Sequence, residues 1–486
     1  MGDRPVRYRR LAVLVAASLT PLALSAPAAQ AATPAAPYDF NGDGRADLAV
    51  GAPAATVAGK ARAGAVSVVY GSSTGLKSST YKVITQNSPA VPGSAETDDA
   101  FGSSLASADL NRDGYADLLV GAPGEDVDGD TNDGTVVIVW GSKSGLSGAR
   151  TLVNHNQREN DRYGKAVAAG DFTGDGLPEV ATGSTGMFEL NFVSGPFTKT
   201  GPFGGGNGGS LADGLPPFSS SYGVEYLSAG DVMGRGFSNL VAHGRVKGTD
   251  DAVTVLVDGK IGNFNNWLVR MPSGYVSAVG DIDGDGYADV AVGNHRETSA
   301  DPAGAKGGRV TVRYGGPDGV DPSRAPLTLT QDTPGVPGSA ETGDAFGSGV
   351  SVGDINGDGY ADLAIGASGE STGAATTTGS VTVLFGSARG LTTTGAKTYT
   401  QNTAGVPGAE EKSDRFGGRT SLLDHSGDRR ADLVISAPGE NAGDGAVTSL
   451  RGTATGPTTT GATTFGPSTT GIGTTGTPGY GSILGG

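Results

Sequence analysis

Short acidic loops recur along the chain, and their residue types and spacing suit a hard divalent cation. The clearest copy runs from Asp354 to Asp362, with an amide at Asn356, a third carboxylate at Asp358 and Gly359 directly after it. Calcium in proteins is bound by several carboxylate, amide and backbone carbonyl oxygens. Glycines allow the tight, positive-φ turns that wrap such an ion. The loop therefore predicts a calcium site.

Seven such loops can be aligned, at intervals of 50 to 73 residues. The first, third, fifth and ninth residues would supply side-chain oxygens, and the seventh its backbone carbonyl. The predicted ligands in six of the loops are Asp39, Asn41, Asp43, Arg45 and Asp47; Asp109, Asn111, Asp113, Tyr115 and Asp117; Asp171, Thr173, Asp175, Leu177 and Glu179; Asp281, Asp283, Asp285, Tyr287 and Asp289; Asp354, Asn356, Asp358, Tyr360 and Asp362; and Asp424, Ser426, Asp428, Arg430 and Asp432. The pattern predicts about five or six structural calcium ions.

The third and seventh loops match the pattern less fully. The third has Thr173 and Glu179 at ligand positions, and we expect it to bind calcium. In the seventh, Ser426 stands at a ligand position and Arg429 replaces a glycine, so its occupancy is left open.

The fourth loop keeps the length of the others and loses their charges. It runs from Asp231 to Asn239, with Met233 and Arg235 at ligand positions. We therefore expect no ion in this loop. We expect Arg235 to pair with Asp231 and to take the place of the ion's charge.

Two other interpretations of the acidic loops fit the sequence less well. An EF-hand would need an acidic residue at position twelve and flanking helices, but position twelve of the sixth loop is Ile365, inside an apolar strand pattern. A plain Asx turn is common in Asp/Asn/Gly runs. It does not explain why the ninth position is so often acidic, and this favours the calcium interpretation.

Each repeat predicts the same four strands. A short strand precedes the loop, an apolar strand follows it, and two further strands are joined by a tight turn such as Gly141 to Gly145. The mature region shows no convincing helical periodicity, and 85 Gly and 26 Pro suit turn-rich β structure. The sequence predicts an all-β fold: a seven-bladed β-propeller of four-stranded antiparallel blades with calcium-binding loops.

The two ends of the array complete each other. The first repeat starts at its loop, with no strand before it, whereas the chain finishes on a segment from Tyr480 to Gly485 that matches the strand region from Phe101 to Ala106. We predict that this C-terminal strand completes blade one and closes the ring, so that no blade is left unpaired.

The first 31 residues have the features of a secretory signal. Arg4, Arg7, Arg9 and Arg10 precede an apolar run, and Ala29-Gln-Ala31 offers a cleavage site. The apolar run is short for a membrane anchor. We expect cleavage, a single propeller over residues 32–486, a secreted monomer and no membrane insertion afterwards. A formal charge of −16 argues against nucleic acid and anionic membranes as partners.

An aromatic-Gly pair, an acidic loop and Gly-Ala-Pro follow one another in the repeats. The cleanest copy has Phe101-Gly102 and Gly121-Ala-Pro123. This order resembles FG-GAP repeats, which form the seven-bladed propeller of integrin α-subunits and of many bacterial extracellular proteins. The resemblance covers about residue 38 to the end. It implies ligand binding on the face opposite the calcium loops. The chain has no Arg-Gly-Asp, and we do not infer integrin-type adhesion from the resemblance.

No catalytic constellation is evident, and we expect no enzyme. Gly71-Ser-Ser73-Thr-Gly75 matches a hydrolase elbow, but it recurs in the repeats as a turn without the serine. His155, His243, His295 and His425 lack metal-ligand spacing, so solvated or locally bonded side chains are expected. Tyr70, Trp140, Tyr314 and Phe385 align as blade-packing residues, whereas Trp267 is a weak binding candidate.

The sequence thus predicts a secreted, calcium-stabilised binding or adhesion module. Its partner would be an extracellular protein or a glycan. Long variable connections, at 124–133, 294–307 and 368–378, are predicted on the face opposite the calcium loops, where ligands are usually bound. A carbohydrate-active protein on the same scaffold, either a lectin or a polysaccharide lyase, is the main alternative, and a purely structural envelope protein is a third.

Overall fold

The chain forms a ring of seven four-stranded antiparallel sheets. It is described here from a computed structural model, over residues 33–157, 159–187, 189–209, 218–249, 251–258, 268–373 and 375–486. The predicted signal segment and Trp267 lie outside the described residues. The prediction of an all-β propeller is confirmed.

Each blade runs from an inner strand, beside the central channel, to an outer strand at the rim. Blades one to four contain Ile483–Leu484, Leu48–Ala52, Ala65–Val69 and Tyr81–Ile84; Ser104–Ala108, Asp117–Ala122, Thr135–Val139 and Ala149–Thr151; Asn160–Gly170, Glu179–Gly186, Leu190–Val193 and Gly206–Gly209; Val224–Gly230, Asn239–Arg245, Ala252–Val257 and Leu268–Arg270. Blades five to seven contain Val276–Gly280, Asp289–Asn294, Arg309–Arg313 and Leu327–Leu329; Phe346–Gly353, Asp362–Ala367, Ser380–Phe385 and Thr392–Tyr399; Thr420–Leu423, Asp432–Ala437, Ala446–Arg451 and Thr458–Phe465.

Regular structure outside the blades is short. Gly315–Gly316 pairs with Gly319–Val320, Glu440–Gly443 is a single turn with positive φ at Asn441 and Ala442, and Pro467–Thr469 is a 3₁₀ turn. None of the helices in the described ranges is long and apolar enough to cross a membrane.

The two middle strands of a blade are largely apolar because neighbouring blades cover both of their faces. Leu48–Ala52 and Ala65–Val69 are buried at every residue, whereas the rim strand Tyr81–Ile84 is largely exposed. Continuous apolar runs of this length are typical of strands buried on both sides. The core of the protein therefore lies between the blades and continues around the ring.

The aromatic-Gly pairs join one blade to the next. Phe101 is fully buried between blades one and two, against Val66 and Leu118. Its backbone N–H donates to the carbonyl of Ala63 at 3.0 Å. Gly64 lies so close to Phe101 that a Cβ there would meet its carbonyl oxygen at 2.2 Å. A side chain at this position would separate the blades, which explains the glycine.

The C-terminal strand completes blade one, as the sequence predicted. Ile483 and Leu484 pair antiparallel with Gly51 and Val50, and Tyr480 is fully buried against residues of blades seven and one. The ring is thereby closed by two segments that are far apart in sequence, and no middle strand of blade one is left with an unpaired edge.

The predicted packing role of the third-strand aromatics is confirmed. The hydroxyl of Tyr70 in blade one accepts the backbone N–H of Leu146 in blade two at 3.3 Å. Tyr314 in blade five does the same for Leu391 in blade six, also at 3.3 Å. Trp140 is buried, at 2% exposure. These side chains hold successive blades together.

The inner strands of all seven blades surround a central channel. A cavity of about 450 Å³ lies there, lined by Ser104, Ala168, Tyr226, Ser277, Val352, Leu422 and Leu484 among other residues. The acidic loops follow the inner strands at one end of this channel, and the connections between second and third strands lie at the other end.

Candidate functional site

All seven acidic loops have the same backbone shape. The residue at the sixth position has a positive φ in every copy, including Arg429 at 67° in the seventh loop. Its N–H donates to the carboxylate of the first-position Asp in all seven copies, at 2.6 to 3.0 Å. The loop is therefore organised around the first Asp, whether or not the other ligand positions are acidic.

The ninth-position side chains connect most of the loops to the rest of their blades. Asp47, which is fully buried, accepts the N–H of Phe40 in its own loop at 3.1 Å and the N–H of Gly71 at 2.9 Å. Gly71 begins the turn between the third and fourth strands. Asp117, Asp289 and Asp362 make the same two contacts. This is a structural reason for an acidic ninth residue, and the sequence argument from that position to calcium is weaker as a result.

Burial changes the acidity of these ninth-position groups. It raises the pKa of Asp47 to about 8 and the pKa values of Asp117, Asp289 and Asp362 to about 7, while backbone N–H donors oppose the shift. Neighbouring loop carboxylates add to the rise. A bound cation would favour the ionised forms, so the loops are groups of carboxylates that gain from a positive charge.

The fifth loop has carboxylates at its first, third and fifth positions and brings them close together. One oxygen from each of Asp281, Asp283 and Asp285 lies within 4.8 Å of the other two, which fits a shared cation. Asp283 also contacts the guanidinium of Arg324, whose carbon lies 3.3 Å from the centre of the Tyr314 ring. Arg324 therefore supplies part of the positive charge that this cluster requires.

Nearby cations also contact three other loops, including the seventh, where Asp428 lies 3.2 Å from Arg451. Asp43 lies 3.4 Å from Arg45 of its own loop, and Asp113 lies 2.9 Å from Lys199, which comes from the next blade. The fifth-position carboxylates of these loops are therefore within reach of a positive group as well as of a bound ion.

The predicted partner of Arg235 in the fourth loop is wrong. The guanidinium of Arg235 binds Asp258 at 3.2 Å, and only its backbone N–H contacts Asp231, at 2.8 Å. Asp258 follows the third strand, where other blades place the packing aromatic, and the amide of Asn239 also contacts it. The pair forms with a neighbouring strand because the first Asp is already occupied by backbone donors.

Hydrogen bonds between consecutive acidic loops run around this face of the ring. The carbonyl of the first-position Asp in one blade accepts the N–H of the eighth loop residue in the next blade, at 2.6 to 3.0 Å, as in the pair Asp39 and Ala116. Six of the seven seams have this bond. At the seam between blades two and three the donor position is Pro178, which has no N–H.

His243 and His425 are fully buried and His295 is half-buried, and these three side chains do not form a metal site with one another. His243 contacts the carbonyl of Gly274 and the hydroxyl of Ser277, and His425 contacts the carbonyl of Ala46 at 2.8 Å. Burial lowers the pKa values of His243, His295 and His425 to about 4. Local bonding was predicted and is confirmed for His243 and His425.

Comparison with known proteins identifies the repeats. The FG-GAP repeat model matches residues 32–69, 101–139, 273–312 and 346–384. Phosphatidylinositol-glycan-specific phospholipase D from Rattus norvegicus is 33% identical over 162 residues, which are 33% of this chain and 19% of that protein. Integrin alpha pat-2 from Caenorhabditis briggsae is 35% identical over 169 residues, covering 30% of this chain and 12% of its own length.

A third relative also matches over a short part of its length. Integrin alpha-6 from Homo sapiens is 34% identical over 86 residues, 18% of this chain and 8% of that protein. The chain thus spans less than a fifth of the length of these relatives. Together with the closed ring of seven blades, the matches show that the chain carries FG-GAP repeats and forms an integrin-α-like propeller.

Proposed function

We propose that this chain is a secreted, calcium-stabilised propeller that binds an extracellular partner through the face opposite its acidic loops. The observation that carries this proposal is the exposure of the long connections on that face. Connections such as 124–133 and 294–307 are anchored to the next blade at their ends, as by the N–H of Tyr163 to the carbonyl of Asp133, and have exposed residues at their centres. Variable loops on a rigid ring are common sites of binding.

Calcium is proposed as a structural component of this module. The convergence of Asp281, Asp283 and Asp285 supports it, as do the buried ninth-position carboxylates. Calcium in such loops would reduce carboxylate repulsion and stabilise the folded ring, because it binds only the folded state. Export is proposed from the basic and apolar pattern of residues 1–31.

We propose that the chain acts by binding and carries no phospholipase activity. The relative with that name shares only 19% of its length with this chain. The alternative of a lectin or polysaccharide lyase is supported by one observation: a polar pocket opens on the same face.

The proposal can be tested with loop variants of the full chain. Replacing 126–131 with a Gly/Ser segment alters the proposed binding face, whereas replacing Ser142 and Ser144 with Gly alters the acidic-loop face. Both should be applied with calcium to arrays of immobilised glycans and extracellular matrix proteins. We expect the first variant to lose retention and the second to keep it.

Equal loss in both variants, or retention of the unaltered chain on no surface, would contradict the proposal. Formation of an unsaturated sugar from a polysaccharide, followed by ultraviolet absorbance, would establish the lyase alternative instead.

A further inference from the structure

A pocket of about 740 Å³ opens on the face opposite the acidic loops, where blades five, six, seven and one meet. Equivalent positions of successive repeats line it. His295, Ser368 and Pro438 stand at the third position of the Gly-Ala-Pro segment or its counterpart, and Ser348, Gly418 and Ser482 directly follow an aromatic-Gly pair. The pocket therefore belongs to the propeller architecture, and its chemistry depends on where individual repeats depart from the common sequence.

Three cationic side chains also line the pocket: Lys412, Arg415 and Arg419. Within the described part of the chain, none of them forms an ion pair with a carboxylate. The nearby Asp414 is 1% exposed, and its carboxylate accepts the N–H of Glu411 at 2.6 Å. In a chain with a formal charge of −16, a group of unpaired cations at one cavity is unusual. It would raise the local concentration of anions.

Arg419 differs in its ion pairing from Glu225, the residue at the equivalent position across the channel. Arg419 and Glu225 both stand three residues after the aromatic of their repeats. Glu225 is paired with Lys165 at 3.6 Å and with Arg245 at 3.1 Å. Its charge is balanced within the protein, whereas the charge of Arg419 is available to a ligand.

The contacts of Arg419 fix its position and leave donors over. Nη1 donates to the carbonyls of Ser348 and Gly418, both at 3.0 Å. Nε and Nη2 have no hydrogen bond within the described residues. A guanidinium anchored in this way is held rigidly and still has N–H groups in the planar arrangement that matches a carboxylate or a sulfate.

His295 provides a second unsatisfied group at the same wall. Its Nδ1 is buried and has no hydrogen-bond partner in the described part of the chain, although the ring packs 5.0 Å from that of Tyr275. Buried polar atoms without a partner are rare, and a bound water or ion commonly satisfies them. The residue stands where the repeat loses its usual Gly-Ala-Pro sequence.

We propose that this pocket binds the carboxylate- or sulfate-bearing unit of an acidic oligosaccharide. Anions are favoured by Lys412, Arg415 and Arg419, and sugar hydroxyls by the serine hydroxyls and half-buried glycine backbone of the wall. A peptide ligand would more often be anchored by a large aromatic or aliphatic residue in an apolar pocket. Pro438 and Ala442 are the apolar residues of this lining. The inference rests on the proposed function, because it names a ligand class for the same face.

The test is titration calorimetry of the full chain with four probes at low salt and with calcium present. Trigalacturonate carries carboxylates, a heparin-derived tetrasaccharide carries sulfates, maltotriose is neutral, and hexaglutamate is an acidic peptide. We expect binding of at least one acidic saccharide and of neither maltotriose nor hexaglutamate. The affinity should fall as salt is raised, because the contacts are ionic.

Three variants locate the binding. Arg419→Gln should weaken it about tenfold or more, since hydrogen bonds to charged groups are the stronger ones. The double variant Lys412→Gln, Arg415→Gln should also weaken the binding. Both of its side chains are exposed, so this variant should fold even if Arg419→Gln does not. Arg389 lies in the turn between the third and fourth strands of blade six, on the acidic-loop face. Arg389→Gln is the matched control and should leave the affinity unchanged.

Equal binding of maltotriose, binding of hexaglutamate alone, or an unchanged affinity in the folded pocket variants would each overturn the proposal. These outcomes differ from a failure of the proposed function. If the 126–131 replacement abolishes retention while the pocket variants do not, the binding face stands and the acidic-saccharide inference falls.

Discussion

The fourth and fifth acidic loops have the same backbone and different side chains. Gly234 and Gly236 have φ of 60° and 79°, and Gly284 and Gly286 have φ of 72° and 90°. The fifth loop places three carboxylates within 4.8 Å of one another. The fourth has Met233 and Arg235 at two of those positions, and its arginine pairs with Asp258 instead.

This comparison separates the shape of the loop from its charge. The fourth loop reaches the shared conformation with one carboxylate, because Asp231 accepts the N–H groups of Arg235 and Gly236. The fold of the loop therefore does not require calcium ligands. What the fifth loop adds is a concentration of negative charge, and this charge needs either a cation or protons.

Removal of calcium should produce the largest difference between the fourth and fifth loops. At free calcium 100 times the Kd, each occupied loop contributes about 2.7 kcal/mol. Excess chelator should therefore lower the thermal midpoint of the full chain by roughly 10 °C. Limited proteolysis should then cleave the fifth loop before the fourth, since the fourth has no ion to lose. Identical melting curves with and without chelator would contradict the calcium role.

Removal of the first Asp should have the next largest effect. Asp281→Ala loses the acceptor for the N–H groups of Gly284 and Gly286, and Asp231→Ala loses the equivalent acceptor in the fourth loop. In chelator, both changes should cost about 1.5 to 3 kcal/mol in denaturant unfolding. In calcium, Asp281→Ala should cost more. If the two variants still differ in stability in chelator, the two loops do not depend equally on the first Asp for their backbone conformation.

The pH dependence of the chelated protein should show a smaller effect. Burial raises the pKa of Asp289 to about 7, so the unfolded chain releases this proton at lower pH than the folded chain. Stability from this group is therefore complete below about pH 4 and is lost as pH rises through about 7. Asp289→Asn, the amide that the fourth loop has at this position, should flatten the decline, and Asp318→Asn at an exposed position should not.

With calcium present the trend should reverse, because the ion binds ionised carboxylates and its affinity rises with pH. Thermal midpoints measured from pH 4 to pH 8 in both conditions check the sign. Parallel curves in calcium and chelator would contradict the assignment of Asp289 to a cation-binding loop.

The fold could be predicted from the sequence because one unit is repeated. Seven spaced copies of the loop, with an aromatic-Gly pair and an apolar run in fixed positions, determined the number of blades and the order of strands. The match between the segment after Tyr480 and that after Phe101 predicted ring closure, and the pairing of Ile483 with Gly51 confirmed it.

The site was predicted less completely, since its contacts join separate repeats. The partner of Arg235 was missed because Asp258 lies 23 residues further along, at a position where other blades have aromatics. The buried role of the ninth carboxylate depends on Gly71 and its equivalents, which no loop motif includes. The cationic pocket is formed by residues of four blades, so no single repeat predicts it. The presence of His295 in place of the proline of Gly-Ala-Pro was a sequence signal for this site.

The absence of an N–H at Pro178 has a consequence for the dynamics of the ring. Six seams on the acidic-loop face carry a backbone hydrogen bond between consecutive blades, and the seam between blades two and three lacks it. Local opening takes place where the fewest bonds must break. On the acidic-loop face, fraying is therefore expected to begin at this seam, on the side of the channel away from the proposed pocket. On the opposite face Arg162 and Tyr163 still donate their N–H groups to the carbonyls of Asn132 and Asp133 and hold blades two and three together.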